Sequence, residues 1–263
     1  MLADTLHGTL DGFTIAVTRP ARQADNLCRS IEAEGGQALR FPVIDILPPP
    51  DMAPLRARLQ NLGDYQLGIF ISANAVHHTY QALGDQPLPH GLRRAAVGEA
   101  TARALAAHGQ PAHILPAAPY NSEALLALPE LHSLQGKRII IFRGGHGRSL
   151  LADTLSERGA QVDYAEVYRR VASGSDPEPL YRAWDEGRLD MIIITSNEGL
   201  RNLFARVDAS HRGHLLETVL VVISERSATL ARELGFTRPV IVARAASDAA
   251  LLEAAKCYAQ ESR

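Results

Sequence analysis

An internal duplication constrains the fold of this chain more than any other feature of its sequence. The segment TIAVTRP matches IIIFRGG further along and places Arg19 opposite Arg143, an offset of 124 positions (143 − 19). The segment IFISANAVHHTY matches IITSNEGLRNLF at the same offset of 124 and places Ser72 opposite Ser196 (196 − 72). A repeat of this length indicates duplication of a domain-sized unit, because solenoid repeats have periods of only about 20–50 residues.

Short β-branched segments alternate with amphipathic stretches, a pattern typical of parallel sheets covered by helices. The strand candidates lie at 14–18, 38–41, 67–72, 95–98, 112–115, 138–143, 162–168, 191–196, 219–224 and 240–243. Helix candidates lie between most of them, for example 22–34 and 149–158, each followed by glycine. The predicted fold class is therefore α/β.

Two segments are expected to cross between two lobes. PVIDILPPP, at 42–50, is an apolar strand that ends in three prolines, and the strand that includes 166–171 is followed by Gly, Ser and Pro. If both link the lobes, the first lobe combines 1–41 with 172–263, and the second spans 51–165. Each lobe is then a mainly parallel five-stranded sheet flanked by helices, and a two-stranded linker joins the two similar lobes.

The charge balance gives the chain no global field that would hold a polyanion. It has 29 acidic and 27 basic residues, so neither nucleic acid nor an anionic membrane is expected as a partner.

Cys28 and Cys257 are too few for a disulfide framework and suit a reducing cytoplasm. No apolar segment has the length of a membrane span or an export signal. We therefore expect a cytoplasmic protein, and a monomer because no exposed apolar stripe calls for a partner.

The sequence contains none of the common signatures GxxxxGK[ST], HExxH, GxSxG and paired CxxC. RGGHGRS, at 143–149, follows a strand and opens a helix, but Leu150 replaces the third glycine of a dinucleotide-binding GxGxxG. Two interpretations stay open for this turn. It is either a tight strand-to-helix connection or an anion cradle of backbone N–H groups at a helix N-terminus, flanked by Arg143 and Arg148.

Three other strand ends place small or hydroxyl residues where a helix begins. They contain Ser72 with Asn74, Ser196 with Asn197, and Gly98 with Thr101. Each pair alone is consistent with simple helix capping. Together they favour a ligand site, because open parallel sheets bind ligands outside the carboxyl ends of their strands. The expected ligand carries many carboxylates or phosphates and is held by backbone amides.

The histidines do not have the arrangement of a metal site. His77 and His78 are adjacent on a helix and point about 100° apart, and His211 and His214 lie in a polar stretch, so surface positions are expected. Tyr168 ends a strand at the predicted linker and is either a half-buried aromatic or a functional phenol. A phenol is protonated at neutral pH and can donate a hydrogen bond to a leaving hydroxyl.

One long segment carries a family resemblance. FRGGHGRSLLADTLSERGAQVDYAEVYRR, at 142–170, is similar to the RGxGGRxxLxxxLxxxGAxVxxxxVYxR pattern of the uroporphyrinogen-III synthases. Supporting matches in the same order are VTRP at 17–20, FISANAV at 70–76, AVGEATARAL at 96–105 and TSNEGLRNL at 195–203. Together these segments cover almost the whole chain.

The resemblance implies two α/β lobes joined by a two-stranded ladder, and an enzyme of tetrapyrrole biosynthesis. In that family, hydroxymethylbilane, a linear tetrapyrrole with acetate and propionate arms, loses its hydroxyl and closes to uroporphyrinogen III. Ring D is inverted through a proposed spiro intermediate, and no metal or cofactor takes part. The bilane closes without enzyme to the uninverted isomer, so the catalyst mainly holds the right conformer, and orientation can contribute about 7–11 kcal/mol in favourable cases. A transient hand-over from the enzyme that forms hydroxymethylbilane is also expected.

Carried over by motif, the resemblance assigns Tyr168 the role of helping the hydroxyl leave. The residues that match cleft positions, where substrate carboxylates would bind, are Arg19, Ser72, Asn74, Ala75, Gly98, Thr101, Arg143, Gly144, Ser196 and Asn197. One turn departs from the family, since ISERSATLA, at 223–231, stands where many members have a Gly-Pro-Thr type of turn. Glu225 would bring negative charge toward an anionic substrate there unless Arg226 compensates.

Two other function classes fit parts of the sequence. A non-catalytic bilobed module would bind an anionic ligand, release it unchanged and have no need of a phenol at Tyr168. A nucleotide-dependent reductase or transferase built on the RGGHGR turn would retain NAD or another nucleotide.

Overall fold

The structure is a computed structural model and describes residues 8–145 and 149–262. Contacts within the chain define two compact units. Unit 1 combines Met1–Asp45 with Val171–Arg263, and unit 2 is the continuous segment Ile46–Arg170. The lobe limits expected above differ from these bounds by a few residues and stay a prediction.

The strands and helices follow one another in regular alternation along most of the chain. The strands are β1 (Thr14–Val17), β2 (Gln37–Arg40), β3 (Ile44–Leu47), β4 (Leu67–Phe70), β5 (Arg93–Ala96), β6 (Arg138–Gly144), β7 (Gln161–Ala172), β8 (Leu189–Ile194), β9 (Val219–Val222) and β10 (Val240–Val242). The α-helices are α1 (Ala21–Ala33), α2 (Ala53–Gln60), α3 (Ala73–Ala82), α4 (Glu99–Ala107), α5 (Ser122–Leu126), α6 (Leu150–Glu157), α7 (Glu178–Asp185), α8 (Asn197–Arg206), α9 (Arg212–Leu216), α10 (Glu225–Glu233) and α11 (Asp248–Glu261). Short 3-10 helices cover Leu62–Asp64 and Pro129–Leu131.

The strands form two five-stranded sheets, with the orders β10-β9-β8-β1-β2 and β3-β7-β6-β4-β5. Every pair whose register the structure describes is parallel. The predicted α/β class with two mainly parallel five-stranded sheets is therefore confirmed. The neighbouring strands β3 and β7 each contain one boundary between the units, so they are the two strands that connect unit 1 to unit 2.

Three interior strands of the sheets, β1, β4 and β9, are buried at every residue. Helices cover both faces of a parallel sheet, which explains the nearly continuous apolar strand sequences. Helix α1 supplies an example of the covering side: its buried residues are Ala24, Leu27, Cys28 and Ile31. Their spacing of three and four places them on one helical face.

The duplication in the sequence recurs in the strand register. Ile15 of β1 pairs with Met191 of β8, and Ile139 of β6 pairs with Leu67 of β4. Both partners are shifted by 124 positions (139 − 15 and 191 − 67). The two copies therefore fold into sheets with the same pairing at their centres.

A side-chain acceptor satisfies the first amide of β1 in unit 1 and of its repeat equivalent β6 in unit 2. The backbone N–H of Thr14 donates to Asp190 Oδ2 at 2.8 Å, and that of Arg138 donates to Gln66 Oε1 at 2.8 Å. Asp190 and Gln66 occupy equivalent positions of the repeat (190 − 66 is again 124). The same backbone bond is thus made by a carboxylate in one copy and by an amide in the other.

Two details of the predicted strands are wrong. The segment 112–115 forms only an isolated bridge between Ile114 and Ala95, because Pro111 and Pro116 bracket it and proline cannot donate to a ladder. The predicted ends of 67–72 and 191–196 lie too far along the chain, since their last residues leave the sheet to begin the next helix. Among the described residues, no helix has the length and apolar character needed to cross a bilayer.

Candidate active site

Two helices of unit 2 begin at extended residues just after a strand. Ser72 precedes α3 with φ −161° and ψ 161°, and its Oγ accepts the backbone N–H of Ala75 at 3.1 Å. Gly98 precedes α4 with φ −155° and ψ 169° and has no side chain to cap it. Both positions were predicted from the sequence as helix starts at strand ends.

Unit 1 repeats this arrangement at the equivalent positions. Ser196 precedes α8 with φ −164° and ψ 154° and accepts the N–H of Gly199 at 2.9 Å. Ser224, the counterpart of Gly98 in the later part of the repeat, precedes α10 and accepts the N–H of Ser227 at 3.2 Å. The strand ends of the two units therefore share one backbone conformation.

Tyr168 lies on β7 in unit 2 and is only 7% exposed. Its phenol oxygen lies 3.3 Å from Ser72 Oγ, a distance at which either hydroxyl can donate. Its ring centre lies 5.6 Å from the ring centre of His78, a residue of α3. The structure thus brings Tyr168 and Ser72 together and adds His78, which the sequence predicted as a surface histidine.

Gly144, the last residue of β6, faces the ring of Tyr168. The two residues are partners across β6 and β7, and the N–H of Gly145 donates to the carbonyl of Tyr168 at 3.0 Å. A Cβ at Gly144 would lie 2.6 Å from Cε2 of the ring. The RGG sequence therefore contacts the tyrosine directly, an arrangement that the sequence did not predict.

Arg143 is buried in unit 2, with 8% of its surface exposed. Its Nε donates to the carbonyl of Gly144 at 2.9 Å, and its Cζ lies 4.5 Å from the centre of the Tyr164 ring. These contacts hold the guanidinium against β6 and β7. Arg148, the second predicted flank of the anion cradle, lies outside the described residues.

Three further predicted binding residues of unit 2 are placed on α3 and α4. Ala75 and Thr101 are buried, and Asn74 is half-buried in the first turn of α3. The N–H of Ala75 already donates to Ser72. Asn74 and Gly98 are therefore the more accessible of the predicted residues on these two helix starts.

In unit 1, Arg19 forms an ion pair with Asp248, the first residue of α11. The Asp248 carboxylate is therefore already paired with the guanidinium of Arg19, which the sequence predicted to bind substrate. Glu225 and Arg226, at the start of α10, are both exposed. Acidic Glu225 lies in the first turn, where the helix dipole favours negative charge.

Ser227 is a polar residue that the sequence prediction missed. It is 1% exposed, and its Oγ donates to Asn197 Oδ1 at 2.8 Å and lies 3.0 Å from Ser224 Oγ. The repeat contained a signal for it, since Ser227 matches the predicted residue Thr101 at the later offset of 126 (227 − 101). The bond fixes the Asn197 side chain between α8 and α10.

The described part of the chain contains no group of three or more His, Cys, Asp or Glu side chains arranged to hold a metal ion. The contacts described above build the candidate site of unit 2 from hydroxyls, an imidazole, an arginine and the helix starts of α3 and α4. Such a set can donate hydrogen bonds and proton equivalents to an anionic ligand.

Comparisons with known proteins agree on one family. The family model described as uroporphyrinogen-III synthase HemD matches residues 25–253. The uroporphyrinogen-III synthase of Escherichia coli (strain K12) is 36% identical over 245 residues, which cover 92% of this chain and 99% of that protein. A uroporphyrinogen-III synthase of Synechococcus elongatus is 30% identical over 211 residues, 78% of each chain.

Solved structures show the same fold at low sequence identity. The uroporphyrinogen-III synthetase of Helicobacter pylori aligns with a TM-score of 0.60 and 17% identity, over 94% of this chain and 99% of the other. A mutant uroporphyrinogen III synthase of Thermus thermophilus aligns with a TM-score of 0.57 and 23% identity, over 95% of this chain and all of the other, 100%.

Proposed function

The chain belongs to the uroporphyrinogen-III synthase family, and from this premise we propose that Tyr168 and the helix starts near it carry the family's reaction. Members of this family are cyclising lyases that convert hydroxymethylbilane to uroporphyrinogen III in tetrapyrrole biosynthesis. The hydrogen bond between Tyr168 and Ser72 is the observation that supports the residue assignment.

The reaction sets two tasks for the protein. The C–O bond to the terminal hydroxyl must break, with a proton joining the hydroxyl to form water, and the freed carbon bonds to the substituted α-carbon of ring D to give the spiro intermediate. The bond between that ring D carbon and its original bridge carbon then breaks, and the bridge carbon bonds to the free α-carbon of ring D, so the ring closes with ring D inverted. The closing pyrrole carbon releases a proton, so no net proton is consumed. The protein must therefore supply a proton donor near the hydroxyl and hold the bilane in the conformer that inverts ring D.

Tyr168 is the proposed proton donor. Ser72 Oγ accepts the N–H of Ala75 and can donate its own proton to the phenol oxygen. In that arrangement the phenol proton is directed away from Ser72 and toward the leaving hydroxyl. As the proton moves, the Ser72 hydroxyl and the N-terminal end of α3 stabilise the negative charge that develops on the phenol oxygen.

The substrate carboxylates are the proposed ligands of the helix starts. Helix N-termini attract anions through backbone N–H groups and the helix dipole. The residues proposed for this role in unit 2 are Ser72, Asn74, Ala75, Gly98, Thr101 and Arg143, and those in unit 1 are Arg19, Ser196 and Asn197. In this proposal a substrate carboxylate exchanges with Asp248 at Arg19, because the existing pair is partly exposed to solvent.

A cytoplasmic location and a transient hand-over from the enzyme that forms hydroxymethylbilane complete the proposal. The structure leaves Cys28 and Cys257 as free thiols, which suits a reducing compartment. Hydroxymethylbilane closes spontaneously to the wrong isomer, so a short path from its source to this protein limits that loss.

The product isomer tests the proposed function. Freshly generated hydroxymethylbilane is supplied to the purified protein, the products are oxidised, and type I and type III uroporphyrins are separated by chromatography. Predominantly type III product without added cofactor is expected. Type I product at the rate of buffer alone would refute the function and leave a binding protein for an anionic ligand.

A further inference from the structure

Strand β7 contains one extra residue where it passes Gly144. Arg143 pairs with Glu166, but the next residue of β6, Gly144, pairs with Tyr168. Val167 therefore has no partner of its own on β6 and forms a bulge in this ladder. Because side chains alternate between the two faces of a strand, an extra residue changes which side chain faces a given partner. The bulge places Tyr168, and not Val167, opposite Gly144.

Glycine at position 144 leaves the space that the tyrosine ring occupies. A Cβ there would lie 2.6 Å from Cε2 and 2.8 Å from Cζ of Tyr168. Cζ carries the phenol oxygen, so the clash would fall on the functional end of the ring. Gly144 is not among the glycines with positive φ. Its backbone conformation is open to alanine, and the ring contact is the reason for glycine.

The other copy of the repeat lacks this arrangement. Pro20 and Ile44 stand at the positions equivalent to Gly144 and Tyr168 (144 − 124 and 168 − 124). The described pairing of β1 with β2 ends at Val17 opposite Arg40, before Pro20 is reached, whereas the ladder of β6 with β7 extends to Gly144. The glycine, the bulge and the tyrosine therefore occur together in unit 2 and are not a general feature of the duplicated fold.

We propose that Gly144 is a positioning residue for the reaction, acting through Tyr168. The bulge at Val167 turns the tyrosine toward β6, and the missing side chain at Gly144 lets the ring lie flat enough for its hydroxyl to reach Ser72. The inference rests on the proposed role of Tyr168 as proton donor. It differs from the family expectation that Gly144 contacts a substrate carboxylate, since here the glycine need not touch the substrate.

The kinetic test compares Gly144→Ala with two other glycine variants. A displaced phenol impairs proton delivery, so kcat for type III product falls about tenfold or more while KM changes less than about threefold. Gly145→Ala, whose Cβ would meet only Glu166 Oε2 at 3.8 Å, measures the effect of stiffening the turn and is expected to lose much less turnover. Gly91→Ala, with no atom within 4 Å of the added Cβ, is the control for folding. Equal losses in Gly144→Ala and Gly145→Ala would overturn the proposal.

A double-mutant cycle separates action through Tyr168 from direct contact with substrate. In a Tyr168→Phe background, Gly144→Ala is expected to reduce kcat by less than about twofold, because the hydroxyl it would misplace is already absent. Losses that multiply would assign Gly144 to the substrate and refute the positioning role. If Tyr168→Phe alone leaves kcat unchanged, the proposed role of Tyr168 fails and this inference fails with it. If only Gly144→Ala leaves kcat unchanged, the role of Tyr168 stands and the inference alone is wrong.

Thermal unfolding supplies a readout that does not depend on activity. Gly144→Ala is expected to lower Tm in the otherwise unaltered chain, because the added methyl clashes with the ring. The same substitution is expected to leave Tm unchanged, or to raise it, in a Tyr168→Ala background, where the ring is gone. An equal decrease of Tm in both backgrounds would show that the space left by Gly144 is not needed for the Tyr168 ring.

Discussion

The phenol oxygen of Tyr168 lies 3.3 Å from Ser72 Oγ, so the proposed proton donor shares a hydrogen bond with the residue that caps α3. The contact joins a residue of β7 to a helix start 96 positions earlier in the chain. A change at either residue is therefore expected to alter both the stability of unit 2 and the chemistry of the site, in proportions that can be measured.

Tyr168→Phe removes the phenol and keeps the ring. If the hydroxyl delivers a proton, kcat falls about 10²-fold, at the lower end of the usual contribution of a general acid. KM changes little, because the ring still fills its place against Gly144. The measurement is the rate of type III product at several substrate concentrations. Tyr258→Phe, on the half-buried face of α11, is the matched control, and a full rate in Tyr168→Phe would exclude the proposed role.

Ser72→Ala removes both a helix cap and the partner of Tyr168. Loss of a serine cap costs about 1 kcal/mol of the free energy of unfolding, which urea denaturation can measure. Ser247→Ala removes the comparable cap of α11, whose Oγ accepts the N–H of Ala250 at 3.3 Å. We expect similar losses of stability in the two variants, and a decrease in kcat in Ser72→Ala alone. A lower kcat in both would reduce the role of Ser72 to capping.

Asp190→Asn tests the equivalence between Asp190 and Gln66. Burial raises the pKa of Asp190 above its ordinary value. The ionised form is thus disfavoured in the folded state, so stability is lost as pH rises through the raised pKa. Asparagine keeps an oxygen that can accept the Thr14 N–H and carries no charge, as glutamine does in the other copy.

At pH 7 the Tm of Asp190→Asn is expected to equal or exceed that of the parent chain. The difference in Tm is expected to be smaller in acid, where the Asp190 carboxyl is neutral in both the folded and the unfolded chain. Asp190→Ala, which leaves the Thr14 N–H without this acceptor, is expected to lose about 1–3 kcal/mol. Scanning calorimetry from pH 7 down to about pH 3, below the ordinary pKa of an aspartate, makes the comparison. An Asp190→Asn variant that is less stable than the parent at pH 7 would show that the charge itself is required.

His211 is expected to make the stability of unit 1 depend on pH. The hydrogen bond with Asp208, at 3.0 Å from Nδ1, raises the pKa of His211, and Asp185 on its other side acts in the same direction. The pKa of Asp208 is lowered to about 2, first by the Ser210 hydroxyl and then by His211. The ring also stacks on Tyr181, with 3.9 Å between centres.

Because the pKa of His211 is raised in the folded chain, its stabilising effect is complete below the pKa of the unfolded chain. The effect is lost as pH rises through the raised value. The urea midpoint of the parent chain is therefore expected to fall between pH 5.5 and 8.5 by more than that of His211→Gln. His132→Gln, at an exposed position, serves as control. Parallel pH profiles in parent and His211→Gln would contradict the prediction.

The repeat explains why much of the fold could be predicted from the sequence. Ser72 and Ser196 are caps because a hydroxyl directly after an apolar strand ends the strand and starts a helix, and this depends on local sequence alone. The segment around Ile114 is wrongly predicted as a strand because its apolar residues resemble one, although the flanking Pro111 and Pro116 are a sequence signal for the single bridge that the structure shows.

The contacts within the site were less accessible to sequence reasoning. The bulge at Val167 is a property of two strands in register, so β7 alone carries no signal for it. The same holds for His78 against the Tyr168 ring and for Ser227 against Asn197, although the repeat pairs Ser227 with Thr101. The sequence predicts residue types and helix starts, whereas the partners of each side chain depend on the tertiary structure.

Because unit 1 is made of two segments separated by unit 2, its parts are translated at different times and cannot all fold together. On the ribosome, unit 2 is complete once Arg170 has emerged, and its sheet can close while the rest of the chain is still being translated. Strand β1 is made early but must wait for β8, the central strand of its sheet, since Ile15 pairs with Met191. Pairing across so long a span is slow to form, and until β8 has been made the apolar residues of β1 lack this neighbour, a condition that favours aggregation.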